Sequence, residues 1–156
     1  LELLRFAGEL AEREGSGKVL PEHIDNADKK TEKNRIIDII NSQPKQFQLV
    51  TYSIIKTSMK EKHNLVTNKK TLVIEETTTG SVYDYYNRIT KELRITPLSL
   101  RRISDIVIEL EVLGLINFKL VSKGRYGRTR FISIGLPKSL YGEVLTILKV
   151  DLSIET

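Results

Sequence analysis

The chain has 156 residues, with 25 Lys and Arg against 20 Asp and Glu, for a formal net charge of +5. It contains no Cys, which excludes a disulfide framework, a thiol nucleophile and a thiolate zinc site. The two His, His23 and His63, lack the close spacing of a metal-binding pair. A hydrophobic content of 40% beside 29% charged residues fits folded domains rather than a disordered chain. No apolar run approaches the ~20 residues of a membrane span, and no signal peptide opens the chain. Leu1 falls inside a helical pattern, so the chain is expected to be a piece of a longer protein.

The charge is unevenly spread. Residues 1–34 hold six basic and eight acidic side chains, residues 35–74 seven and two, and residues 75–156 twelve and ten. Within the last part, Lys119, Lys123, Arg125, Arg128 and Arg130 follow one another without an intervening acid. So dense a basic stretch in a mixed-charge domain points to an anionic partner.

In chain order, residues 1–14 place Leu1, Leu3, Leu4, Ala7, Leu10 and Ala11 on one helical stripe. Gly15 and Gly17 stop that helix. Pro21 suits a first helical turn, and the pattern predicts a second helix from about 21 to 41 carrying Ile24, Ala27, Ile36, Ile37 and Ile40. Its middle, 25–34, is almost wholly polar and is expected to be a solvated connector. The predicted units are therefore 1–33 and 34–156. After Pro44, residues 45–61 read as a buried helix with Phe47, Leu49, Val50, Tyr52, Ile54, Ile55 and Met59. Residues 71–74 fit either a brief strand or a loop. Thr79 is the expected N-cap of a helix from Gly80 with Val82, Tyr83, Tyr86, Ile89 and Leu93 inward. Pro97 opens the next, with Leu100, Ile103, Val107, Leu110 and Leu113 on its core face, and Gly114 ends it.

The period then changes. Residues 115–121 and 129–134 alternate as strands around a Gly- and Arg-rich turn, which makes a β-hairpin. A final helix runs from 138 to about 149. Helix, turn, helix and hairpin in that order make a winged helix-turn-helix, so the fold class is mainly α with a small β-hairpin.

In such folds the second helix enters the major groove of DNA. Here its first turns offer Ser99, Arg101 and Arg102, and Arg has the fork geometry for guanine. The bland alternative pairs Arg101 and Arg102 with Asp105 and Glu109 on the helix surface; with the wing beside the helix, Arg102 is the expected contact and Arg101 stays open between the two readings. The hairpin turn Lys123, Gly124, Arg125, Tyr126, Gly127, Arg128, Thr129 and Arg130 combines backbone freedom with counterion-releasing charge. Arg125 and Arg128 fit a narrow minor groove. Lys60, Lys62, Lys69 and Lys70 form a weaker signal, with solvated charge as the default reading. His63 reads as exposed, and His23 is assigned nothing. There is no P-loop, GxSxG, HExxH or paired carboxylate with a base, so no active site is expected.

Two blocks carry a resemblance. LELLRFAGELAEREGSGKVLPEHIDNA resembles the end of the helical lid of archaeal initiator ATPases, the origin-recognition/cell-division-control family. TGSVYDYYNRITKELRITPLSLRRISDIVIELEVLGLINFKLVSKGRYGRTRFISI resembles that family's C-terminal winged helix. The resemblance implies the end of an AAA+ lid followed by a winged-helix domain that binds double-stranded origin DNA. It implies recognition-helix contacts from Ser99, Arg101 and Arg102, and wing contacts from residues Lys123 to Arg130. It further implies the replicative helicase and other initiator subunits as partners, no membrane, and a nucleoid-associated cytoplasmic location. ATP or ADP with Mg would belong to an AAA+ module upstream, and no cofactor or ATPase activity is expected of this piece. Rival functions for the same fold are a transcription regulator and a protein–protein module.

Overall fold

The computed structural model describes residues 2–64, 69–122, 124 and 128–154. They form two compact units, Leu1–Ser42 and Gln43–Thr156.

The first unit pairs helix α1, Glu2–Arg13, with helix α2, Pro21–Ser42. Ala7, Ala11 and Ala27 are buried, and their small side chains allow close packing of the two backbones. Gly15 takes a left-handed φ of 69° at the end of α1, the geometry a helix C-terminus asks of glycine. Two expectations fail here. Leu4 and Ile24, read as stripe residues, are exposed, whereas His23 is buried. The His23 Nδ1 accepts from the Leu20 N–H at 3.0 Å, and its Nε2 meets Glu14 Oε2 at 3.0 Å. With Nδ1 an acceptor, the neutral ring donates from Nε2 and ties the α1–α2 turn to both helices. The stretch 25–34 and the expected boundary at 33–34 both lie inside α2.

The second unit is built on helix α3, Lys45–Ser58, ten of whose residues are buried. A helix buried on nearly all sides must satisfy its own hydroxyls. Thr51 and Ser53 accordingly donate to the carbonyls of Phe47 and Leu49, at 2.9 and 2.7 Å. The helix stops at Ser58, earlier than its sequence suggests, because the chain turns extended at Met59. Strands β1, Met59–Asn64, and β2, Lys69–Ile74, pair antiparallel as an isolated ribbon, Met59 opposite Ile74 and Asn64 opposite Lys69. The two-residue strand β3, Thr77–Thr78, leads into helix α4, Thr79–Glu92. Its N-cap is Thr78 rather than Thr79: the Thr78 Oγ1 accepts from the Ser81 N–H at 3.2 Å.

After a turn, helix α5 spans Leu100–Val112 with Ser99 as N-cap, so it starts three residues beyond Pro97. Its buried face is Ile103, Ile106, Val107 and Leu110, while Leu100 is exposed. Gly114, at φ 75°, reverses the chain into strand β4, Ile116–Ser122. Strand β5, Arg128–Ile134, returns antiparallel to it. Since β3 pairs with the other edge of β5, the sheet has the order β3-β5-β4. A 3-10 turn, Lys138–Leu140, precedes helix α6, Tyr141–Leu152. Gly135 closes the hairpin base, its N–H on the Leu115 carbonyl at 3.0 Å. A Cβ there would stand 3.1 Å from the Gly114 carbonyl oxygen. The winged helix-turn-helix is therefore α3, β3, α4, α5, β4 and β5, with the β1–β2 ribbon inserted after its first helix.

Candidate nucleic-acid interface

The start of α5 is held from below by a buried side chain absent from the sequence-based site. Tyr86 on α4 is fully buried. Its hydroxyl accepts from the Leu98 N–H at 3.0 Å and donates to Gln46 Oε1 at 2.5 Å. Gln46 in turn donates to the Thr96 carbonyl at 3.3 Å. Burial raises the Tyr86 hydroxyl above its ordinary pKa, so it remains a donor at neutral pH. The turn between α4 and α5 is thus pinned to α3 and α4 at two backbone positions. Only the helical spacing of Tyr86 was visible in the sequence, and that spacing marked a core residue.

The predicted residues of α5 divide by partner. The Ser99 Oγ caps the helix, accepting from the Arg102 N–H at 3.3 Å. Arg102 reaches Glu109 Oε1 at 3.2 Å, and its guanidinium lies 6.0 Å from the Phe47 ring centroid. Both charges of that pair are about half exposed. Arg101 is exposed and has no ionic or hydrogen-bonding partner among the described residues. The free guanidinium on the first turn of α5 is therefore Arg101, and Arg102 is held along the helix side.

The wing divides likewise. Lys123, Arg125, Tyr126 and Gly127 lie outside the described residues. Gly124 has a left-handed φ of 59°, the conformation its position in a tight turn predicted. Arg128 is exposed, and among the described residues it has no partner. Lys119 pairs with Glu76 at 2.8 Å. Arg130 is half-buried: its Nη1 donates to the Ser104 carbonyl of α5 at 3.3 Å, and its guanidinium sits 5.3 Å from the Phe118 ring centroid. A second bond joins the same elements, from the Phe118 N–H to Glu111 Oε1 at 3.1 Å. The wing strands and α5 are therefore joined twice through side chains.

Between them lies a cleft of about 750 Å³. Thr78, Thr79 and Gly80 line one wall, Leu100 and Ser104 a second, and Leu120, Arg128, Thr129 and Arg130 the third. Leu100 and Leu120 give it exposed apolar surface. The N-terminus of α4, with its Ser81 N–H capped by Thr78, borders it, a setting that favours negative charge. The Thr79 Oγ1 is buried there with no hydrogen-bond partner among the described residues. Apolar surface beside a cation and a helix N-terminus suits a sugar–phosphate strand. Among the described residues no group of His, Asp or Glu is placed to hold a metal ion, and no helix is long and apolar enough to cross a membrane.

Comparison with known proteins bears on this geometry. A family model described as the CDC6, C terminal winged helix domain matches residues 38–143. The ORC1-type DNA replication protein 1 of Methanosarcina acetivorans is 38% identical over 88% of this chain and 31% of its own length. The ORC1-type DNA replication protein of Pyrococcus furiosus is 38% identical over 99% of this chain and 33% of its own. This chain thus spans about a third of the length of the relatives it matches. Among solved structures, the Aeropyrum pernix ORC1 protein in complex with DNA superposes with a TM-score of 0.75 at 32% identity, covering 93% of this chain and 35% of that one.

Proposed function

The chain belongs to the family of CDC6 C-terminal winged helix domains, and from that premise we propose that it binds double-stranded DNA at replication origins as the C-terminal part of a replication initiator. Helix α5 enters the major groove and the β4–β5 wing the adjacent minor groove. The observation that carries this reading is the cleft between α5 and the wing, where exposed Arg128 faces the start of α4, beside Arg101, exposed on the first turn of α5; neither Arg has a partner among the described residues. The likeness to an ORC1 protein solved with DNA supports it.

Within this reading the side chains have different tasks. Arg101 addresses base edges, because it is free and stands on the first turn of α5. Arg128 takes a phosphate or the minor groove, joined by Lys123, Arg125 and Tyr126 of the wing turn. Thr129 flanks the strand in the cleft. Arg130 acts from inside the protein, holding the wing to α5. Ser99 shapes the helix start, and Arg102 joins the contact once it leaves Glu109. In the whole protein the reading adds ATP and Mg in an AAA+ module, and the replicative helicase and other initiator subunits as partners.

Fluorescence anisotropy of the 156-residue chain with duplex DNA, titrated at several salt concentrations, tests the proposal. Affinity should fall steeply with salt, and Arg128→Ala should reduce the logarithmic slope by about 1. Arg101→Ala should cost ~1–3 kcal/mol on a selected site and less on random sequence. Binding that ignores salt, or an Arg128→Ala variant that binds as the parent does, overturns it.

A further inference from the structure

We propose that Leu100 is a specificity-determining residue that recognises the 5-methyl group of a thymine, with Leu120 seated against the deoxyribose of the same strand; this rests on the DNA-binding reading above.

The placement of Leu100 follows from the helix cap. Ser99 holds the N-cap position, so Leu100 is the first helical residue of α5 and Arg101 the second. The helical period puts Leu100 and Ser104 on one side, and both line the cleft. Arg101 stands about 100° further round the helix. Ile103, Val107 and Leu110 are completely buried, whereas Leu100 keeps 47% of its surface exposed. The opposite wall is built alike. Leu120 lies opposite Arg130 in the β4–β5 register, and Arg130 reaches across to the Ser104 carbonyl. Cross-strand partners share a face of the sheet. Leu120 is therefore on the face turned to α5, where it is 53% exposed. One exposed leucine is ordinary on a protein surface. Here two leave apolar surface open on separate walls of a single basic cleft.

The lining decides which chemistry fits. It holds Arg128 and Arg130 but, among the described residues, no carboxylate and no side-chain amide. Without Asn, Gln, Asp or Glu, the cleft lacks the bidentate partner for adenine and the acceptor for the cytosine amine. Its Ser and Thr hydroxyls favour no base. Arg130 is occupied by the Ser104 carbonyl, and Arg128 stands on the wing strand rather than on the helix that enters the major groove. What the cleft can recognise on a base is an apolar group, and in the major groove only thymine shows one. That methyl projects beside the backbone of its own strand. The residue that meets it must stand on the flank of α5 next to the strand held in the cleft, and Leu100 stands there. Leu120 comes from the wing and meets the sugar, which carries no base identity. Leu100 reads the base, and Leu120 positions the strand.

The test removes the methyl alone. The 156-residue chain selects its preferred duplexes from a random library, and each dT of the selected site is replaced singly by dU, which keeps the Watson–Crick edge. Fluorescence anisotropy should show a position where dU weakens the parent about fourfold, the effect of one methylene-sized group taken out of water. Leu100→Ala should bind the dT and dU duplexes of that position equally and keep the parent's salt slope. Leu120→Ala should bind both more weakly and keep the fourfold preference of about that size. Each comparison is a ratio of two duplexes on one protein, so partial unfolding of a variant does not imitate it. A parent indifferent to every dT→dU change, or a Leu100→Ala variant that keeps the parent's preference, overturns the assignment, while the DNA-binding reading stands if affinity still falls steeply with salt. A parent that binds no duplex overturns both.

Discussion

Tyr86→Phe isolates the hydroxyl that fixes the start of α5. The phenyl ring keeps the buried volume, so no cavity opens. What is lost is one acceptor for the Leu98 N–H and one donor to Gln46 Oε1. Leaving part-buried polar groups unpaired costs about 1–3 kcal/mol. For a domain of this size, each kcal/mol moves Tm by about 4 °C, so the variant should melt roughly 4–12 °C below the parent. Circular dichroism gives the melt, and a cycle with Gln46→Leu separates the two bonds. Because the side chains share one bond, the double variant should cost less than the sum of the singles, by about 0.5–1.5 kcal/mol. Duplex affinity should also fall, since the α4–α5 turn carries Arg101 into place. A Tm within about a degree of the parent, or strictly additive single changes, refutes the assignment of this hydroxyl as the pin of the turn.

Three further outcomes follow from side-chain partnerships. Arg130→Ala should weaken DNA binding and lower Tm together, because it removes the bond to the Ser104 carbonyl; Arg130→Lys should recover less than half, lacking the planar face against Phe118. Loss of affinity with an unchanged melt would instead make Arg130 a direct DNA contact. Glu109→Gln should tighten duplex binding several-fold in anisotropy, by freeing Arg102 and removing a negative charge, while changing stability by at most about 1 kcal/mol; unchanged or weaker binding refutes it. Burial, with Tyr85 beside it, pushes the Tyr52 hydroxyl up from 10.0 to about 12. A raised folded pKa means its contribution is complete below about pH 10 and lost as pH climbs through about 12. Urea unfolding followed across that window should show a shallower decline for Tyr52→Phe than for the parent.

The helices of the second unit were legible because α4 and α5 keep their apolar residues on the helical period, and Gly114 stops α5 where only positive φ allows the reversal. The wing strands announced themselves by alternation. Other features were hidden for physical reasons. Met59 to Lys62 consists of good helix formers, so local propensity extended α3; pairing with residues 71–74 outweighs it. Two-residue β3 is too short to show any period. Leu100 fits the apolar stripe, yet it opens on the cleft because α5 begins only after the Ser99 cap. Basic residues could be found by composition, but not sorted. Arg128 and Arg130 look alike in the sequence, and only the fold shows one exposed and one turned to a carbonyl 26 positions away.

That inward turn has a consequence for what the protein can measure. With α5 and the wing joined through Arg130 and through Glu111, the two prongs have a set spacing before any duplex arrives. On the proposed function, two prongs of fixed gauge in neighbouring grooves would act as a calliper on helical twist. Overwinding or underwinding shifts one groove against the next, so a mistwisted site must be deformed to fit. The energy of that deformation depends on base-step stiffness, including steps that no side chain touches. On the proposed function, DNA topology at an origin would therefore tune affinity without any change in its bases.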